Sequence, residues 1–414
     1  MKATGTMKSL LAGAALMALA TTAHAACGIE KGSIRILGND FPAIQAVTAA
    51  AATCQSDTVQ FKVNLTKDHE SLAVAALKAN PAEYTSQIVA SSSILPLLND
   101  GLIRPLDEYV AKDGAGLKKN QLITINGKIM AVAFMANAQH LFVRDDILKA
   151  AGVETPKTYE EVLAAAKVIK DKGLVKYPFG GTYKAGWDLG EEFVNMYIGM
   201  GGTFFKEGSA EPAINNEKGV AALEMMKALS VYMNPDYLTF DSNALQAEFE
   251  AGNVAMANFW GSRAGAVTDA EGSKPEITSN IKFAAAPTVG GGSIPATTLW
   301  WDGFTVAKNI SDDDAAATFK ALATGVTKDV ANANTDKAVW LADGFEPGPL
   351  AQGTLESANA GAQPYPMDPY MGLMHTALGD GLAEFMQGKE DAAKALSDVE
   401  ATYSAAARAA GFLK

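Results

Sequence analysis

Five tryptophans are the residues of this 414-residue chain whose type and setting best suit chemistry with a small molecule. Four stand among small or polar neighbours, in Gly186-Trp187-Asp188, Phe259-Trp260-Gly261-Ser262-Arg263 and Leu299-Trp300-Trp301-Asp302-Gly303. Those surroundings read as loops rather than the interiors of amphipathic helices. A flat indole matches the apolar C–H face of a sugar ring. Asp, Asn, Arg and Ser match its rim of hydroxyls with hydrogen bonds in both directions. The competing reading of each tryptophan is partly buried core, and Trp340 fits it best.

Catalytic signatures are absent: there is no G-x-S-x-G, H-E-x-x-H or G-x-x-x-x-G-K-[ST]. Beyond the N-terminal segment the histidines are His69, His140 and His375, and none are spaced as a zinc pair. The sequence therefore predicts no metal and no cofactor. Acidic residues are plentiful, so a carboxylate pair for glycoside hydrolysis stays open. With 46 acids against 34 bases and a formal charge of -12, the chain is a poor match for phosphate backbones, and no nucleic-acid partner is expected.

The elements that must position these residues follow an export signal. Lys2 and Lys8, the apolar run from Leu10 to Ala20 and the closing Ala23-His24-Ala25 are the three parts of a signal peptide, residues 1–25. The run is too short to span a bilayer, so the sequence predicts a periplasmic protein. Cys27 and Cys54 are the only cysteines. An exported chain with an even count usually pairs them, and a strand after Cys27 with a helix returning to Cys54 would bring them together. The competing reading is a lipid anchor on Cys27, although His24-Ala25-Ala26 lacks the leucine such a signal prefers.

Strands and helices then alternate. Ser33 to Leu37 reads as a strand, Pro42 to Thr53 as a helix, Val59 to Leu65 as a strand, Ser71 to Ala79 as a helix and Gln87 to Ala90 as a strand. This pattern predicts an α/β fold with a mostly parallel sheet. Ligands in such sheets bind at the carboxyl ends of strands, here Asn39-Asp40-Phe41, Lys67-Asp68-His69 and Ser91-Ser92-Ser93. Asn126-Gly127 signals a hairpin before a strand from Lys128. Thr158 with Glu161 signals a capping box. Further strands are expected at 254–257 and from Asp302 to Ala307, and a helical tail from Met371 to Ala410.

The segment Gly127–Leu148, the run P-K-T-Y-E-E-V at 156–162 and F-E-A-G-N-V-A-M at 249–256 occur in a telling order. With the signal peptide and the βαβ start, they resemble the extracellular solute-binding proteins of bacterial ABC importers, in the carbohydrate branch of maltose-binding-protein-like chains. The resemblance covers essentially the whole exported chain. It implies the two-lobed type II periplasmic binding protein fold, with the ligand cleft between the lobes. Lobe one would hold 30–138 plus 300–348, and lobe two 139–299 plus 349–414.

The resemblance also implies a ligand set. The loop after the first strand gives Asn39, Asp40 and Phe41. The next turn gives Lys67, Asp68 and His69, and the loop after the third strand gives Ser91 and Ser92. The first crossing gives Asn137, where the maltose type has a carboxylate. Lobe two gives Trp187, Trp260 and Arg263, and the return crossing gives Trp301 and Asp302. The entry to the last helices gives Tyr370 and His375, where the maltose type has a stacking tryptophan. These two departures put maltose itself in doubt, and Lys67 with Arg263 would suit an acidic sugar or a structural ion pair equally. The implied protein is a monomer that binds a carbohydrate or polyol and delivers it to membrane permease subunits, without catalysis. A same-fold binder of ferric ion or another solute, and a secreted glycosidase, remain the alternatives.

Overall fold

The computed structural model describes residues 26–414, so the expected signal peptide lies outside the described residues. In chain order the strands are β1 (Gly32–Gly38), β2 (Val59–Leu65), β3 (Ser86–Ala90), β4 (Leu122–Ile125), β5 (Lys128–Asn137) and β6 (Gln139–Arg144). They continue with β7 (Tyr177–Gly180), β8 (Val254–Trp260), β9 (Ile281–Ala284), β10 (Thr298–Phe304), β11 (Val339–Trp340) and β12 (Gln363–Pro364). Two sheets result. One runs β11-β5-β10-β3-β1-β2, with β4 on β5 and β12 on β10; the other runs β7-β8-β6-β9.

The first sheet is mixed, which corrects the expectation of a mostly parallel one. β1 lies parallel to β2 and β3, but β10 is antiparallel to both β3 and β5. The reason is connectivity. The chain leaves the first sheet through β5, passes Ala138 into β6 and returns along β10, so its outward and return strands must run in opposite senses.

Both sheets are covered on both faces. Along β1, Ile34 and Ile36 face one core while Leu37 faces another; along β6, Leu141 and Val143 are separated from Phe142 in the same way. That is the period of two of an extended chain, applied between two hydrophobic layers. Among the described residues no helix is long and apolar enough to cross a membrane.

Local signals mostly act as their chemistry dictates. Asn126 and Gly127 join β4 to β5 with φ of 50° and 74°. Thr158 caps the Tyr159–Asp171 helix by accepting from Glu161 N at 3.1 Å. The return bond of the capping box is shifted, because Glu161 Oε2 accepts from Lys157 N rather than from Thr158. Cys27 and Cys54 form the disulfide, with Cα atoms 5.2 Å apart, so the Cys27 sulfur is committed to that bridge.

The larger correction concerns the tryptophans. Trp260, Trp300, Trp301 and Trp340 lie in strands, and Trp187 is the first residue of the Trp187–Gly199 helix; none of the five is a loop residue. β10 begins at Thr298, four residues before its predicted start. Asp302 and Gly303 lie within β10, where the register against β5 shifts. A Cβ on Gly303 would lie 2.6 Å from the Val132 carbonyl oxygen, so glycine there permits the two strands to stay close. Trp340 is core, as expected, with 4% of its surface exposed.

Candidate ligand-binding cleft

A cavity of about 420 Å³ lies between the two sheets, a size suited to a small solute. On one side the carboxyl ends of three strands face it, through Asn39 and Phe41 after β1, Lys67, His69 and Glu70 after β2, and Ser92 after β3. On the other side lie Lys184, Trp187 and Asp188, then Asp241 to Asn243, and Trp260, Ser262 and Arg263 at the end of β8. The strands that join the lobes add Asn137, Trp300 and Asp302.

Three indoles form a corner. Trp187 and Trp260 are near-parallel, with centroids 6.3 Å apart and planes at 30°. Trp300 stands across both, 5.6 Å from Trp187 at 65° and 5.8 Å from Trp260 at 85°. Trp187 offers most of the open aromatic surface, at 39% exposure, against 9% for Trp260 and 5% for Trp300.

The structure brings Trp300, not Trp301, to the cavity. Adjacent strand residues point to opposite faces, so only one of the pair can face the cleft, and the strand register decides which. Trp301 packs into the core behind the first sheet, and its backbone N–H donates to Ser91 Oγ at 3.2 Å. Ser91 is thereby buried behind the strand end, and Ser92 is the serine that lines the cavity. Asp40 also stays outside the lining: its carboxylate accepts from Gln45 Nε2 at 2.7 Å, and its carbonyl accepts from Lys67 Nζ at 2.9 Å.

His375 and Tyr370 are likewise not brought to the cavity. His375 lies behind Trp187, stacked at 4.9 Å and 21°, with Nε2 2.9 Å from the Trp187 carbonyl and Nδ1 2.8 Å from the Tyr365 hydroxyl. Gly190 makes that approach possible, since a Cβ there would lie 2.9 Å from the His375 ring. Burial pushes His375 down to about 4, so the ring backing Trp187 is neutral at neutral pH. Tyr370 turns away; its hydroxyl donates to the Ser209 carbonyl at 2.9 Å and its ring meets Phe205 edge-on.

The polar lining is only partly committed. Asn137 is tied to the crossing, accepting from Ser262 N and Ala138 N at 3.1 Å each and donating to Ser262 Oγ at 3.2 Å. Asp241 caps the Ser242–Glu250 helix and pairs with Lys184 at 3.2 Å. Among the described residues, by contrast, Arg263 makes one hydrogen bond, from Nη1 to Gln246 Oε1 at 3.1 Å. Its remaining donors are free for a guest.

Burial holds both Arg263 and Lys67 below their usual ranges, and Arg263 also repels Lys67. Burial pushes Asp188 up to about 7, with Asp241 adding to the rise and Lys184, Lys67 and Arg263 opposing it. Burial pushes Asp302 to about 7 as well, reinforced by Glu70. The cleft therefore holds unsatisfied acceptors beside unsatisfied donors, with an aromatic corner on one side. That set suits a guest that has an apolar face and a rim of hydroxyls. Among the described residues no group of three or more His, Cys, Asp or Glu is placed to hold a metal ion.

Of the residues that sequence reasoning proposed, the cavity gathers Asn39, Phe41, Lys67, His69, Ser92, Asn137, Trp187, Trp260, Arg263 and Asp302. It adds Glu70, Lys184, Asp188, Asp241, Ser242, Asn243, Ser262 and Trp300, which that reasoning did not select. Asp188 and Ser262 sit beside chosen residues, so their neighbourhood was a signal. Nothing local marked 241–243, which reach the cleft only as the start of a helix packed under β8.

The sequence model described as bacterial extracellular solute-binding protein matches residues 71–368. A probable ABC transporter-binding protein of Deinococcus radiodurans is 30% identical over 186 residues, 43% of this chain and 43% of that one. The match thus spans less than half the length of that curated relative. Among solved structures, an Agrobacterium radiobacter K84 solute-binding protein in complex with ribitol superposes with a TM-score of 0.80 at 21% identity, covering 90% of this chain and 98% of that one. Maltose-bound T. maritima MalE3 gives 0.77 at 18% identity, covering 90% and 98%. An Agrobacterium vitis S4 solute-binding protein with bound D-mannitol gives 0.74 at 21% identity, covering 92% and 100%.

Proposed function

This chain belongs to the bacterial extracellular solute-binding protein family and has its two-lobed type II periplasmic binding fold, and from that premise we propose that it captures a small sugar or polyol for an ABC importer. The observation that carries the reading is the indole corner of Trp187, Trp260 and Trp300, faced across one cavity by uncommitted donors and acceptors from both lobes. Asn39, Phe41, Lys67, His69, Ser92 and Asp302 would contact the solute from the first lobe, and Trp187, Asp188, Trp260 and Arg263 from the second. The lobes would divide as 30–138 plus 300–348 and 139–299 plus 349–414.

In this mechanism the solute first meets one lobe, and closure adds contacts from the other. The closed form gains population by the extra affinity it offers the solute. Permease subunits then accept the closed protein on the periplasmic side of the membrane. No bond is made or broken, so the protein acts as a binder and not as an enzyme. The ribitol-, D-mannitol- and maltose-bound relatives favour the sugar and polyol class over a metal ion.

A thermal-shift screen of refolded, solute-stripped protein tests this. With sugars, alditols, sugar acids and metal ions in the panel, the true solute should stabilise by about 2.7 kcal/mol at a hundredfold excess over Kd. A shift confined to metal ions, or product release from a chromogenic glycoside, would replace the proposal.

Asp188 and Asp302 add a pH signature. Each is raised above its unfolded value of about 3.9. In the unliganded protein their contribution to stability is therefore full below about pH 4 and is lost as pH rises through about 7. Solute hydroxyls donate to the carboxylate form, so affinity should run the other way, being higher at pH 8 than at pH 6. Titration calorimetry at both values checks this, with Asp302→Asn expected to flatten the dependence. Equal affinities in the unmodified protein would remove these carboxylates from the solute's contacts.

A further inference from the structure

The Trp187–Gly199 helix presents Trp187 and Asp188 to the cavity and, over the next two turns, buries Glu191, Glu192 and Asn195. Two of them reach the strands that join the lobes. Asn195 Nδ2 donates to Oε1 of Gln139, the first residue of β6, at 3.1 Å. Glu191 Oε1 accepts from Trp300 Nε1 at 3.1 Å and from Thr298 Oγ1 at 2.7 Å, both on β10. Glu192 turns the other way, accepting from the Thr182 hydroxyl at 2.7 Å and from Asn258 at 3.2 Å.

Glu191 is fully buried, its second oxygen Oε2 has no partner, and among the described residues no lysine or arginine pairs with it. An uncompensated carboxyl in a core is costly, and an apolar side chain of similar volume would pack there without that cost. What the carboxyl supplies is an acceptor for the indole N–H of Trp300, which is 95% buried and lines the cavity. Among the described residues Thr298 is the other partner of that N–H, at 2.8 Å, and the Thr298 hydroxyl lies 2.7 Å from both Glu191 Oε1 and Asn195 Oδ1.

We propose that Glu191 is a positioning residue for solute capture: it pins the Trp300 indole, the crosswise wall of the aromatic corner, to the helix that carries Trp187 and Asp188. Because β10 is the return strand between the lobes, the same contact fixes the solute platform to the hinge. The inference rests on the reading of the cavity as a solute site.

The test pairs Glu191→Gln, which keeps an acceptor oxygen, with Glu191→Leu, which removes it. In solute-free protein, acrylamide quenching and near-ultraviolet circular dichroism report the placement of the indoles. Glu191→Gln should match the unmodified protein in both. Glu191→Leu should raise quenching and flatten the coupled-indole signal while far-ultraviolet dichroism stays unchanged. With ribitol and maltose as probes, Glu191→Leu should weaken binding about tenfold, the worth of one buried hydrogen bond that holds the indole, whereas Glu191→Gln should stay within about threefold. Unchanged indole signals in Glu191→Leu, or a Glu191→Gln variant as impaired as Glu191→Leu, would overturn the proposal. So would a Glu191→Leu variant that loses thermal stability but keeps indole placement and affinity. If neither probe binds the unmodified protein, the solute reading fails for them, while the quenching result still decides the placement of Trp300. Should Glu191→Leu fail to fold, Glu191→Met, flexible and similar in length, is held to the same outcomes.

Discussion

Replacing Trp187 with alanine should weaken solute binding by about a hundredfold, close to 2.7 kcal/mol. Trp187 is the most exposed of the three cavity indoles, so it offers a ring-sized guest the most surface. Its other face is already filled by His375, which leaves the open face as the stacking surface. Because that face is solvent-accessible, truncation should cost little folding stability. Trp301→Phe gives the contrast. Trp301 packs behind the first sheet, so this variant should lower the melting temperature and leave affinity within about threefold. Calorimetry with the solute from the thermal-shift screen decides between them. A Trp187→Ala protein of near-normal affinity would remove that indole from the solute's contacts, and an impaired Trp301→Phe protein would mean that the two faces of β10 are assigned the wrong way round.

Removing the disulfide should have the opposite profile, with stability lost and affinity kept. Cys27 and Cys54 are 27 residues apart in sequence, and closing a loop of that size stabilises by about 3.5 kcal/mol in the chain-entropy model. Cys54 is fully buried, so Cys27→Ala with Cys54→Ala avoids burying new hydroxyls. The bridge lies beyond the far end of the Pro42–Ala52 helix, whose first turn brings Phe41 and Ile44 to the cavity. Eleven residues of helix put roughly 16 Å between the two ends. Urea unfolding should show the early loss of one transition, and solute affinity in dilute buffer should be unchanged. A tenfold loss of affinity in the double variant would show that the bridge also shapes the cavity.

Much of the site was legible because its elements are local. The turns after β1, β2 and β3 follow from the alternation of apolar strands with helices, and they carry Asn39, Lys67, His69 and Ser92 to one edge. Two errors had non-local causes. Leu299-Trp300-Trp301 has the surroundings of a loop, yet pairing with β5 holds the two tryptophans within β10. His375 has the chemistry of a ligand contact, yet the close packing of its helix against the Trp187–Gly199 helix places it behind the indole.

The sequence by itself determined the α/β class, the pairing partners available to two lone cysteines, the core role of Trp340 and the family. Each rests on periodicity, composition or short motifs, which are properties of neighbouring residues. Only the tertiary structure decided which member of Trp300-Trp301 faces the cleft and that Asp188 and Asp241 join it. It alone showed that Glu191 lies buried against the Trp300 indole. A one-residue change of register exchanges the two faces of a strand, and the burial of a carboxyl depends on what folds over it from more than a hundred residues away. Neither is written in a local window of sequence.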